Sequence, residues 1–449
     1  MSFNLSFTPS ILSVLSPWSR QVEDEWGQRP ASVVLSFILT VIVCVMLVYG
    51  LRQILYTYTR VLRKQRYPYE RLQQVQWPKL TVFIAAHNEE KVIADCIEAL
   101  LQTDYPKDQL RIVPVNDRSS DSTASIIDAY VKQHPELIQA FHRSSGKPGK
   151  AAALKDAMRF ATGDIALIFD ADYTPAPSLL RELVAPFFDP EVGAVMGHVV
   201  PLNVGSNLLT RMLDLERSAG YQIDQQARMT LQGVPQYGGT VGGVRLSAVH
   251  AVGGWSDDVL AEDTDITFRL LIAGWKTVYN NHATCHEEVP EEWSVRMRQV
   301  HRWAQGHNQV MFRSWWPLWR SPYVTRTERV DGFLLLHVFM LQPLLLLGWL
   351  IALTLYYLDA SATLALFLPM GLLITYGAVG SFSAFMQIAL AVWVDGHRQR
   401  IRLLPFQLLS FFASLLVMTS AFVASIMDRL TRRELTWKKT IRYRKEVTS

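Results

Sequence analysis

From Ala31 to Leu51 the chain runs about 20 residues without one charged side chain. About 20 apolar residues is the length a helix needs to cross a bilayer. A segment in hydrocarbon finds no water for its backbone N–H and C=O groups, so it has to be helical. Glu23, Asp24 and Glu25 precede the run, and Arg52, Arg60, Arg63, Lys64 and Arg66 follow it. Acid before and base after places the carboxyl side in the cytosol. A buried helix of a soluble protein is the competing reading, but such helices seldom lack charge for that length.

The same character returns late in the chain. Gly332 to Leu358 is apolar apart from His337 and Gln342, Ser361 to Val394 is a second stretch, and Leu403 to Met427 a third. The tail from Arg429 to Lys445 carries eight Lys or Arg residues. If the middle stretch crosses twice, the tail returns to the cytosol but His397-Arg-Gln-Arg-Ile-Arg402 falls on the wrong side. Alternatively, one part lies flat at the interface. These uneven runs explain a hydrophobic content of 49% with only 19% charged residues. A net charge of +4 is small for 449 residues and gives no argument for a nucleic-acid partner. Three cysteines (Cys44, Cys96, Cys285) fit a reduced compartment and no disulfide framework. Residues 1–30 are weakly amphipathic, and the first 20 lack the basic and apolar regions of a cleavable signal.

Residues 80 to about 310 alternate strand and helix signals, which predicts a doubly wound α/β sheet with helices on both faces. Leu80–Ala86 reads as a strand and His87-Asn-Glu-Glu90 as the opening of a helix through Leu101. Leu110–Val115 is a second strand ending at Asn116-Asp117, with Ser119, Ser120 and Asp121 as N-caps for a helix through Val131. A helix from Lys150 to Phe160 precedes a third strand, Ile165-Ala-Leu-Ile-Phe-Asp170.

That third strand ends on Asp170 and Asp172, separated by Ala171. On an extended segment, residues two apart point the same way, so the two carboxylates are expected to converge past the strand's end, where open α/β sheets bind ligands. Oxygen-only donors favour a hard divalent cation that keeps waters and takes phosphate oxygens. The alternative is an acidic turn ahead of Pro175-Ala-Pro177. Asp117 is expected on the same edge, placed to accept from a ribose or a base N–H, or else to cap a turn.

Other segments carry weaker signals. Ser144-Ser-Gly-Lys-Pro-Gly-Lys150 is a basic loop ahead of a helix, suited to phosphate though not a P-loop. Glu262 and Asp263 stand before an amphipathic helix, where one would serve as a general base or both merely complement the helix dipole. His282-Ala-Thr-Cys-His286 has a zinc flavour but no partner cluster. In Gln299-Val-His-Arg-Trp303 an Arg beside a Trp offers a phosphate clamp next to a flat apolar face. The same residues, with Trp293, Trp315, Trp316 and Trp319, also suit a helix at the membrane surface.

Asp117, Asp170-Ala-Asp172, Glu262-Asp263 and Gln299-x-x-Arg302-Trp303 stand in a fixed order. That order resembles the family 2 inverting glycosyltransferases, specifically the membrane-embedded processive branch of cellulose, chitin and hyaluronan synthases and their β-mannan relatives. The likeness covers about residues 78 to 310 and implies a GT-A-type sheet in the cytosol flanked by transmembrane helices. It divides the chain into 1–30, a span at 31–55, the catalytic region 78–310, an interfacial segment 311–330, spans within 331–428 and a basic tail 429–449.

By the same resemblance His87, Glu89, Asp117, Lys150 and Asp170 hold the nucleotide, and Asp170 and Asp172 hold its diphosphate through Mg²⁺ or Mn²⁺. Asp263 is the base, and Glu262 beside it helps bind the acceptor. Gln299 and Arg302 bind diphosphate or acceptor, Trp303 stacks under the acceptor sugar, and Tyr237, Gly239 and Thr240 line the acceptor entrance. Departures from the common pattern are Asn116 for a second Asp, Val241 for Asn and Ala261 for Thr. The implied partners are a nucleotide-sugar (UDP- or GDP-linked), a growing polysaccharide or a glycolipid acceptor, the bilayer, and an accessory export subunit. The rival expectations are single transfer to a lipid and a non-catalytic membrane scaffold.

Overall fold

The computed structural model describes residues 30–67, 69, 76–358 and 382–431. The N-terminal amphipathic segment, most of the apolar stretch from Ser361 and most of the basic tail lie outside the described residues.

Eight strands form one sheet: β1 (Leu80–Ala86), β2 (Leu110–Asp117), β3 (Phe141–Arg143), β4 (Ile165–Asp170), β5 (Thr174–Pro175), β6 (Val192–Pro201), β7 (Gly242–Arg245) and β8 (Lys276–Glu287). Their order is β3-β2-β1-β4-β7-β6-β8-β5. The first four are parallel, as the alternation of signals predicts. Beyond them the sheet is mixed: β7 runs antiparallel to both β4 and β6, and β6 is parallel to β8. Glycine allows the β7 insertion. A Cβ on Gly243 would come within 2.3 Å of Leu167 Cδ2, and one on Gly242 within 2.4 Å of the Val195 carbonyl.

Strand alternation sorts the core into two layers. Val82, Ile84, Ile112, Leu167 and Phe169 pack with Ile93, Cys96, Ile97 and Leu100 of helix Ile93–Leu101 on one face. Phe83, Val113, Val115, Ala166 and Ile168 pack on the other with Ala153 and Leu154 of helix Lys150–Ala157 and Ile266 and Leu270 of helix Glu262–Ile272. Register fixes the functional edge: Ala85 pairs with Asp170, and Ala86 with Asn116. The carboxyl ends of β1, β2 and β4 therefore finish level.

One local expectation shifts. The helix expected from His87 begins only at Ile93. Asn88 turns the chain at φ +55°, and its side-chain oxygen accepts from the Ser120 amide at 2.7 Å, so residues 87–92 become a turn clasping the loop after β2. The strand at 276–287 absorbs His282 and Cys285, exposing the first and burying the second, and no three His, Cys, Asp or Glu among the described residues form a metal group. The zinc signal is a strand.

Among the described residues, three helices are long and apolar enough to cross a membrane: Ala31–Leu62, Arg326–Leu355 and Arg398–Thr431, with a shorter apolar helix at Phe382–Val394. The basic run after His397 is a 3-10 stretch, Arg398–Phe406, held by Arg400 bonding Asp214. Helix Trp293–Arg320 passes unbroken through residue 310, and the next helix, Arg326–Leu336, starts on a capping box of Thr325 and Glu328.

The chain divides into two compact units, one of residues 1–51 and 344–382, the other of 52–343 and 383–449. In the first, the glycine at 348 lets its helix approach Ile42, whose Cγ2 a Cβ there would meet at 3.3 Å. The second contains the sheet.

Candidate active site

Asp117, the last residue of β2, is buried and bonded through both carboxylate oxygens. Its Oδ1 accepts from Arg118 Nε and Arg143 Nη1, each at 3.0 Å, and its Oδ2 from the Gly149 amide at 3.1 Å. Burial pushes this carboxyl up, but those bonds outweigh it and hold it below the usual carboxylate range. The His87 ring nitrogen Nδ1 lies 2.6 Å from the Asp117 carbonyl. Glu89 is buried beside it, with its amide donating to Thr123 Oγ1 at 2.8 Å. Gly149 stands at φ +115°, a conformation that favours glycine, and so turns the basic loop to present its amide to Asp117.

One residue later, Lys150 opens its helix and reaches the end of β4, where its ammonium donates to Asp170 Oδ1 at 2.5 Å. The Asp170 amide in turn donates to Thr240 Oγ1 at 3.2 Å. Asp172 has a different environment. The strand ends at Asp170, so Asp172 sits in the following turn, 3% exposed, with Oδ2 accepting from the Glu288 amide at 3.4 Å.

Glu262 and Asp263 occupy the first turn of helix Glu262–Ile272. Burial and the adjacent Asp263 push Glu262 up to about 7, against the opposing pull of Lys150 and Arg302. Burial also raises Asp263, against the Thr264 amide, Lys150 and Arg302. Lys150 and Arg302 thus act on both acids, and Lys150 holds Asp170 as well. The Tyr237 phenol is buried and raised, with Asp263, Glu262 and Asp170 all contributing.

The loop from Gln236 to Thr240 closes this group. Gln236 Nε2 donates to Thr264 Oγ1 at 2.9 Å and the Tyr237 amide to Thr267 Oγ1 at 3.1 Å. Gly239, at φ +75°, lies against Asp263: a Cβ there would sit 3.2 Å from the Asp263 Cβ. Val241 follows at φ +44°, a left-handed conformation that Asn tolerates and a β-branched residue does not. The departure from Asn noted in the sequence therefore carries backbone strain.

Helix Trp293–Arg320 supplies the remaining side. Gln299 Oε1 accepts from Arg296 Nη1 at 3.0 Å. The Trp303 ring has two cations near it, Arg217 and Arg296, each guanidinium 5.4 Å from the ring centroid. Arg217 pairs with Glu287 at 2.6 Å and Arg296 with Glu216 at 2.5 Å. Glu287 also accepts from the Tyr173 hydroxyl at 2.8 Å, linking the turn after β4 to the Trp303 neighbourhood.

Sequence reasoning missed Arg118, Arg143 and Arg217, and took Arg296 only as part of a helix suited to the membrane surface. Arg143 lies on a three-residue strand and Arg217 at a helix end, with no local motif to mark either; only the adjacency of Arg118 to Asp117 offered a signal.

The donors present fit a divalent cation. Asp170 is an oxygen donor with 28% of its side chain exposed, and Lys150 beside it suits a diphosphate. Asp172 is a second oxygen donor two residues on, and oxygen donors suit a hard divalent ion whose shell phosphates and waters complete.

A family model described as "Glycosyltransferase like family 2" matches residues 78–306. The probable glycosyltransferase YdaM of Bacillus subtilis is 30% identical over 375 residues, spanning 82% of this chain and 87% of that protein. A beta-monoglucosyldiacylglycerol synthase of Synechocystis is 32% identical over 241 residues, spanning 54% of this chain and 50% of that enzyme. Among solved structures, a mannosyltransferase from Pyrobaculum calidifontis in complex with GDP-Man and Mn²⁺ superposes with a TM-score of 0.59. It is 20% identical, covering 89% of this chain and 99% of that one, and the likeness is one of fold.

Proposed function

The chain belongs to the glycosyltransferase-like family 2, and on that premise we propose that it moves a sugar from a nucleotide-sugar, with inversion, to a hydroxyl presented at a membrane. One observation carries the reading. Lys150 bonds Asp170 at the donor edge while its charge also acts on Glu262 and Asp263, so a diphosphate site and a candidate base share one cation.

Asp117, with His87 and Glu89 behind it, holds the nucleoside. Its ionised carboxylate accepts from a base or ribose donor while Arg143 and Gly149 keep it in place. Lys150 and Arg302 stabilise the negative charge that develops on the departing diphosphate. Asp170 and Asp172 would hold a Mg²⁺ or Mn²⁺ ion, which when bound supplies further charge stabilisation. Asp263 takes the proton of the acceptor hydroxyl as it attacks the anomeric carbon from the face opposite the nucleotide. An α-linked donor then yields a β-linked product. Gln299 and Trp303 flank the acceptor, and Tyr237, Gly239 and Thr240 shape its approach.

For the acceptor, we favour a lipid-linked hydroxyl and a single transfer. The described residues include three candidate spans, and the Synechocystis relative is named for a glucosylated diacylglycerol. The second reading, processive synthesis of a β-linked polysaccharide aided by an export subunit, draws on the order of motifs ending at Gln299-x-x-Arg302-Trp303. Membranes carrying the protein, given each radiolabelled UDP- and GDP-sugar with and without a chelator, decide between them. A chloroform-soluble product that disappears on chelation is expected. Long product remaining in the aqueous phase would select the polymer, and no incorporation from any nucleotide-sugar would refute the transferase reading.

A further inference from the structure

On helix Trp293–Arg320, Gln299, Arg302, Gly306, Gln309 and Arg313 recur at spacings of three and four and so share one face. The amino-terminal part of this stripe holds Gln299 and Arg302, assigned above to the reaction. Its other half grips the chain that leads into Glu262 and Asp263. The Leu260 amide donates to Gln309 Oε1 at 3.2 Å. Arg313 donates to Asp265 Oδ1 at 3.3 Å and to Asp258 Oδ2 at 2.5 Å. Between these ties and Arg302 stands Gly306, buried against backbone. A Cβ there would lie 2.6 Å from Ala261 N, 2.7 Å from the Leu260 carbonyl carbon and 2.8 Å from the Ala261 Cβ. No real Cβ sits that close, and two of the three atoms are main chain, so relief requires moving residues 260–261 themselves.

We propose that Gly306 is a positioning residue: its lack of a side chain seats the Arg302-bearing helix against the Leu260–Ala261 backbone and so sets where Asp263 stands. Glycine in a helix interior is unfavourable relative to alanine, and close approach is the reason to keep it here. Ala261, noted in the sequence as standing where Thr is common, is the small residue facing it. With no side chain of its own, Gly306 acts through Asp263, and the inference rests on Asp263 being the base.

The test compares Gly306→Ala, Gln309→Ala and Asp263→Asn in the full chain, reading kcat, KM for the nucleotide-sugar, nucleoside diphosphate affinity and the pH profile of kcat. A misplacement of about 1 Å can lower a rate about 10²-fold. Gly306→Ala is therefore expected to lower kcat about 10- to 100-fold, shift the acid limb of the profile and leave diphosphate affinity unchanged. Adding Ala261→Gly should recover part of the loss, because it removes one of the three contacts. Wild-type kcat in Gly306→Ala overturns the proposal, as does a parallel fall in kcat and diphosphate affinity. If Gly306→Ala does not fold, Gln309→Ala decides: a lowered kcat with intact affinity upholds the inference and an unchanged kcat defeats it. An active Asp263→Asn instead removes the base assignment, a failure separate from either result at Gly306.

Discussion

Lys150 donates to Asp170 across 2.5 Å, joining the first residue of a helix to the last residue of β4. The bond crosses the carboxyl edge of the sheet, and the same ammonium pulls down the carboxyl groups of Glu262 and Asp263. Replacing Lys150 by Met removes that pull. Both acids then hold their protons to higher pH, so the acid limb of the pH–rate profile should move upward. Nucleoside diphosphate should bind about tenfold or more weakly, since a charge-assisted hydrogen bond contributes about 1.5–3 kcal/mol. Titration calorimetry and pH–rate measurements check the two effects, and an unmoved acid limb would separate Lys150 from the acid pair.

Asp263→Asn keeps the shape of the helix turn and takes away the base. General-base assistance is worth about 10²–10⁴-fold, so turnover should fall by that factor. Donor binding should persist, because Asp117, Lys150 and Asp170 are untouched. Steady-state rates beside equilibrium binding of the nucleotide-sugar make the check; near-normal turnover would send the role to Glu262.

Burial and the neighbouring Asp263 push the Glu262 carboxyl up from the free group's 4.5 to about 7. A carboxyl with a raised folded value binds its proton more tightly when folded, so its contribution is present below the free value and lost as pH rises through the folded one. Glu262→Gln should therefore gain stability over the parent between about pH 4.5 and 7 and hold that gain above, by on the order of 1–3 kcal/mol. Thermal unfolding across that range tests it, and a gain largest at pH 4 would contradict the raised value.

Asp331 gathers the loop that leads to Tyr237. It accepts from Arg52 at 3.2 Å, from the Tyr56 hydroxyl and from the Val234 amide at 2.8 Å, with Arg228 3.9 Å away. Gly233 allows the approach, since a Cβ there would meet Asp331 Oδ2 at 2.5 Å. Removing the carboxylate strands buried cations, which typically costs about 3–5 kcal/mol. Asp331→Ala should lower the unfolding temperature sharply and loosen residues 232–240, seen as faster amide exchange at Val234. Stability equal to the parent would mean the cluster contributes little.

The periodic parts of this protein were legible because their signals are local. Alternation in Leu80–Ala86 and Ile165–Asp170 reports which side chains face each layer, and the parallel order of β1, β2 and β4 follows from connections through helices. The charge-free run after Ala31 reads as a long helix for a similarly local reason. Asp172 was less legible. The strand ends at Asp170, and only the fold shows Asp172 buried in the next turn and bonded to the Glu288 amide. Val241 shows the limit differently, since composition notes an unusual residue but only the backbone reveals the left-handed angle that Asn would suit.

By itself the sequence determined the spacing of apolar residues, the acids at strand ends and the order of motifs, because each is written in the covalent period of a strand or helix. Only the tertiary structure decided what those acids meet. Asp117 finds Arg143 26 positions away, Asp170 finds Lys150 20 positions away, and Asp172 meets an amide 116 positions away. It also turned β7 antiparallel and put Arg217 and Arg296 beside Trp303. Such pairings depend on where the packed layers bring distant segments together, and a carboxylate's proton affinity follows from the charges and burial it meets there.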